Sequence, residues 1–161
     1  MQITIRDAQH KPEWLAKVGA FLHDAPLQDD GHYDESTQTF RLSLQRVGWE
    51  FRVRRTLLLL TIWRMPFVPA VLTVAPVVVL RPLERDHEWN PGDQLKALGM
   101  ATPSELHLVT DPGTIVLGCV EPATLTVTDS GPPGTRLAVT DIGRIIISPA
   151  LVDEIVNTSL A

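Results

Sequence analysis

The longest apolar run, residues 57–80, reads "LLLLTIWRMPFVPAVLTVAPVVVL" and holds one charge, Arg64. A membrane helix needs roughly 20 mostly apolar residues, but Pro66, Pro69 and Pro76 each remove a backbone donor and disturb the preceding turn. The pieces "AVLTVA" and "PVVVL" are heavy in valine, whose β-branched side chain suits a pleated surface better than a helix. The run therefore predicts two or three buried strands of a core, not a membrane anchor.

Upstream, "QITIR" alternates Ile3 and Ile5 with polar neighbours, which predicts a short strand. Trp14, Leu15, Val18, Phe21 and Leu22 recur at the spacing of one helix face, with Pro12 in the first turn; the helix is expected to end near residues 23–25, before Pro26. After the acidic loop "LQDDGHYDESTQ", Phe40, Leu42 and Leu44 alternate with polar residues, and Trp49, Phe51 and Val53 repeat the pattern across a turn or bulge at Gly48. Residues 81–104 read as a long loop with one helical turn around residues 94–98.

The last third is punctuated as a meander: "ELHLVT", the turn "DPGT", "TIVLGCV", then "ATLTVT", the turn "SGPPG", "TRLAVT", the turn "DIG" and "RIIIS". A closing helix is expected, capped by Ser148, starting at Pro149 and apolar along Leu151, Val152, Ile155 and Val156. These elements predict an α+β fold, mostly antiparallel β in curved sheets or barrel-like, with an N-terminal and a C-terminal helix. "RIIIS" and "PVVVL", apolar on both faces, are expected as central strands, and no βαβ alternation supports a doubly wound nucleotide-binding sheet. With 161 residues, the stretch 1–161 is expected to be a single globular domain.

Charge changes this picture little. The net charge is −5, and it is uneven: residues 1–80 carry nine Lys/Arg against eight Asp/Glu, residues 81–161 five against eleven. That balance argues against a binder of phosphate backbones, so nucleic acid is not an expected partner. The start "MQITIRDAQHKPEW" has no charged n-region leading into an apolar h-region, and Cys119 is the single cysteine, inside the apolar "TIVLGCV". Both point to a cytoplasmic protein in which Cys119 is a small buried hydrophobe and Asn157-Thr158-Ser159 meets no glycosylation machinery.

Two stretches carry a resemblance. "FLHDAPLQDDGHYDESTQTFRLSLQRVGWEFRVR" has an L-x-D-A helix end at Leu22, Asp24 and Ala25, then F-x-L-x-L-x-R-x-x-W-E at Phe40, Leu42, Leu44, Arg46, Trp49 and Glu50. "LHLVTDPGTIVLGCVEPATLTVTD" has a strand, a Gly-containing turn and a second strand running through Val120-Glu121 to Leu125 and Asp129. These stretches, 34 and 24 residues of the 161, resemble an uncharacterised bacterial domain-of-unknown-function family. The resemblance implies a cytoplasmic single domain and brings no activity and no catalytic residues.

Three candidate sites remain. The acidic loop offers His23, Asp24, Asp29, Asp30, His32 and Asp34, with Glu35 beside them, as oxygen and nitrogen donors for a divalent cation of a metal-dependent enzyme. Its spacing lacks the alternating acids of a calcium loop, and the plainer alternative is a solvated turn in which Asp24 or Asp34 bonds local backbone. Arg46, Arg52, Arg54 and Arg64, near Arg41 and Arg55, could form a sheet face that holds an anion or a nucleic-acid single strand; the plainer alternative pairs them with Glu50 and the acidic loop. Trp89, in "DHEWNPGD", is the expected partner-facing aromatic. No Gly-rich phosphate loop, zinc-spaced Cys/His set or nucleophile elbow is present. The expected function is a non-catalytic interaction or scaffold module with a protein partner or a second copy of itself, no membrane contact and no cofactor.

Overall fold

The computed structural model describes residues 2–4, 12–51, 53–57, 60–82, 91–102, 104–111, 113–134 and 137–139. Alternation of apolar and polar side chains builds most of it. In β4 (Thr39–Val47), Phe40, Leu42 and Leu44 are buried while Arg41 is exposed and Ser43 and Gln45 are half-buried, the period of two that points successive side chains to opposite faces. The same rule buries Leu106 and Leu108 of β8 (Glu105–Thr110) and Leu117, Cys119, Ala123, Leu125 and Val127 of β9 (Thr114–Asp129).

The spine is β6, 23 residues long (Leu60–Pro82). One margin pairs with β5 (Val53–Leu57) and then β4; the other pairs with β10 (Leu137–Val139) and then β9, all antiparallel. Beyond β9 follow β8, then β7 (Gln94–Thr102), then β2 (Ala25–Pro26); β3 (His32–Asp34) lies outside β4, and β1 (Gln2–Thr4) pairs with β9. Leu27, just past β2, forms an isolated bridge to Leu44 of β4, with Gln28 N–H donating to Ser43 O at 2.8 Å. Helix α1 (Pro12–Phe21) lies on β7, so close at Gly19 that a Cβ there would come within 3.2 Å of the Leu98 nitrogen. Its Leu15, Val18 and Phe21, with Leu22 just past its end, join the single core formed by β4, β6, β7, β8 and β9.

The architecture corrects the α+β, barrel-like expectation. It is mainly antiparallel β in a single open sheet in which one isolated bridge, and no ladder, links the β2 end to β4, and the fold is not framed by two helices: among the described residues there is one α-helix of ten residues and a single 3-10 turn at Trp49–Phe51, and the expected C-terminal helix and the strand "RIIIS" lie outside the described residues. The physical reason is that nearly all apolar positions repeat at period two, so burial is sheet burial.

The run expected as two or three strands is the end of β5 plus one continuous β6. Two of its prolines fall where β6 changes neighbours, and Pro76 falls at a register shift within the β9 ladder. Pro66 lies between the β5 ladder, which stops at Arg64, and the β4 ladder, which starts at Phe67; Pro69 directly precedes the β9 ladder at Ala70. At these positions a missing donor costs little, while both carbonyls are used, Pro66 O by Gly48 N–H and Pro69 O by Ser130 N–H, each at 2.8 Å. "TIVLGCV" and "ATLTVT" likewise form one strand, β9.

Two further expectations change. Within 81–104, residues 94–102 are the strand β7, and residues 83–90 lie outside the described residues. In place of the helical turn expected around residues 94–98, the buried Leu95 and Leu98 lie three apart within a strand, because an irregularity between Leu95 and Ala97 shifts the register. "PVVVL" is not apolar-buried on both faces: Val77 is fully buried, whereas Val78, Val79 and Leu80 are exposed, because the β4 ladder ends at Val74 and β9 alone pairs with residues 79–82 among the described residues. No described helix is long and apolar enough to cross a membrane, which says nothing of a membrane β-barrel.

Two substitutions test this packing. Leu72→Ala, at a fully buried position midway along β6, should lower unfolding free energy by about 2–5 kcal/mol, read as a fall in urea midpoint at unchanged slope. Gly31 has φ of 81° and an added Cβ would lie 2.8 Å from the Phe40 ring, so Gly31→Ala should cost at least about 1–3 kcal/mol, whereas Gly113→Ala, where nothing lies within 4 Å, should be nearly silent in the same melts.

Candidate functional site

The acidic loop is held by its own backbone. Asp29 Oδ1 accepts Gly31 N–H and Ser43 N–H, both at 3.1 Å, which ties the bend before β3 to the middle of β4. Asp34 Oδ1 accepts the Ser36 hydroxyl at 2.7 Å, Ser36 N–H at 2.9 Å and Thr37 N–H at 3.4 Å, closing the turn between β3 and β4 where Gln38 has φ of 50°. These bonds, led by the Ser36 hydroxyl, hold the Asp34 carboxyl at about 2. Asp30 and His32 are exposed, His32 in register with Arg41.

His23 and Asp24 sit apart from that turn, at the exit of α1, where Asp24 has φ of 60°. Asp24 Oδ2 faces His23 Nδ1 at 3.1 Å, and its Oδ1 accepts from Lys96 Nζ at 2.6 Å. Lys96 also reaches Gln94 Oε1 at 2.6 Å and Asp111 Oδ1 at 3.3 Å, so one ammonium joins the α1–β2 junction to β7 and to the β8–β9 turn. Burial alone would raise the Asp24 carboxyl; the Lys96 hydrogen bond, helped by the His23 and Lys96 charges, outweighs it and holds it below the usual value. The bond to Asp24 in turn holds the Lys96 ammonium above its usual value. The six candidate ligands are thus not brought together: among the described residues no group of three or more His, Cys, Asp or Glu side chains is placed to hold a metal ion.

The arginine set divides as well. Arg46 does not contribute to an exposed face; it is buried, its guanidinium 5.0 Å from the Phe21 ring. Nε donates to Asp129 Oδ1 at 2.7 Å and Nη2 to Asp129 Oδ2 at 2.6 Å; Nη1 donates to Glu50 Oε2 at 3.0 Å and weakly to Val47 O at 3.4 Å; Nη2 also donates to Glu50 Oε1. That accounts for all five guanidinium N–H groups, with Asp129 held in a bidentate fork. Burial works to lower the Arg46 pKa, but its bonds to Asp129 and Glu50 prevail and raise it, so the charge is permanent. Arg41 is exposed on β4. Arg54 occupies a β5 position opposite Trp63, and Arg64 a β6 position opposite Val53 and Val139; Arg52 and Trp89 lie outside the described residues.

Cys119 is buried and its thiol is pushed up to about 11 by desolvation, which keeps it protonated and unreactive near neutrality. The surface feature that sequence reasoning missed is apolar. Val78, Val79 and Leu80 of β6 are 43%, 40% and 38% exposed, and Val120 of β9 is 49% exposed. They adjoin because Val77 pairs with Cys119 and Val79 with Gly118, at the point where both strands depart from regular register. The missed signal was the end of β4: its ladder stops at Val74, before "PVVVL" begins, and among the described residues β9 alone forms a ladder with that stretch.

Comparison of the chain with protein families, with curated proteins and with solved structures finds no match.

Arg46→Met should destabilise by about 3 kcal/mol, the low end for breaking a buried ion pair, because Asp129 is 46% exposed and can rehydrate. Adding Glu50→Gln and Asp129→Asn to that variant should restore part of the loss in a denaturant titration. Asp34 gives a pH test. Its carboxyl is depressed, so its contribution is complete above the unfolded value near 3.8 and disappears as pH falls toward about 2. Carboxyl NMR should show that low midpoint in the parent, and Ser36→Ala should move it up toward the ordinary value.

Proposed function

We propose that the chain is a non-catalytic, cytoplasmic interaction module that contacts a protein partner, a second copy of itself included, through the apolar end of the β6–β9 pair. One observation carries this reading: Val78, Val79, Leu80 and Val120 are all exposed at one end of the β6–β9 pair, and among the described residues Phe51 is the other large apolar side chain that is exposed and not at least half-buried. Scattered exposed valines need no explanation, but a branched apolar run beside another exposed valine does.

The polar chemistry supports the same direction. Asp29 and Asp34 are tied to backbone donors, Asp24 and Lys96 to each other, and Arg46 to Glu50 and Asp129, each in a contact that organises a turn or joins elements. Their present engagement favours neither the metal-enzyme reading of the acidic loop nor the anion-binding reading of the arginines. The cytoplasmic assignment rests on one buried, protonated cysteine, which suits a reducing compartment.

The test uses the full chain and the double variant Val79→Glu with Val120→Glu. Burying either valine in a contact is worth about 1.5 kcal/mol, and a carboxylate in its place opposes the contact, so association should weaken at least about tenfold while the melting temperature stays nearly unchanged. Light scattering over a range of concentrations reads self-association. Co-purification, with the retained protein identified and its binding repeated from purified components, reads a different partner. A parent that stays monomeric and retains the same proteins as the variant overturns the proposal.

A further inference from the structure

We draw no further inference here: the strongest candidate, the exposed apolar patch of Val78, Val79 and Leu80 on β6 with Val120 on β9, belongs to the surface already described, and nothing in the structure shows what covers it.

Discussion

A strand of 23 residues presents hydrogen-bonding groups along two margins, and burying it requires partners on both. No single neighbour is long enough, so β6 is served in relay: β5 and then β4 on one side, β10 and then β9 on the other. The order of the sheet follows from this. β4 and β9 are brought alongside one strand from distant parts of the chain, and β8 and β7 extend the sheet outward from β9 until β2 can bridge back toward β4 through Leu27 and Leu44. The relay also accounts for Pro66 and Pro69, which sit at the hand-over points where a missing donor is least costly.

Arg46 fastens the second hand-over. Its side chain leaves β4, passes under the end of α1 at Phe21, and meets Glu50 just after β4 and Asp129 at the last residue of β9. A buried guanidinium is tolerable only when every donor is matched, and here all five are. Replacing such a cluster with apolar side chains is often neutral or stabilising, so its value lies less in net stability than in geometry. A planar fork accepts carboxylates from a narrow range of directions. It therefore fixes where β9 ends against β6, next to Ser130 N–H bonding Pro69 O, more tightly than apolar contact would.

What was legible in the sequence follows from these constraints. β4 and β8 could be read because each buries one face without interruption, so Phe40, Leu42 and Leu44, and Leu106 and Leu108, keep period two. β7 could not, because a register shift puts Leu95 and Leu98 three apart and imitates a helix. The length of β6 was hidden by prolines that ordinarily end strands, since their harmlessness depends on which neighbour lies alongside, a fact of tertiary structure. For the same reason the α+β expectation failed: two amphipathic stretches were weighed as a frame, while the sheet holds nearly all the burial. At the sites, Glu50 as a partner of Arg46 was legible from sequence proximity, whereas Asp129 is 83 positions away from Arg46 and could be paired with it only by folding. Folding thus brings Arg46, Glu50 and Asp129 into one cluster.

The functional argument turns on the same relay. On the margin of β6 away from β9, β4 supplies the neighbour until Val74, Gln38 O takes one more donor from Val77 at 2.7 Å, and the Tyr33 hydroxyl donates to Val77 O at 2.7 Å. Past that point β6 continues through three branched apolar residues with β9 as its described neighbour, and the register shifts on either side of Val77. Bulges of this kind usually protect a sheet margin from indiscriminate pairing. Here they also disfavour a backbone ladder with a passing strand at residues 75–79, where the register is broken. Recognition at this end would therefore fall to the side chains of Val78, Val79, Leu80 and Val120, and a partner would be selected by shape and apolar character more than by hydrogen-bond register.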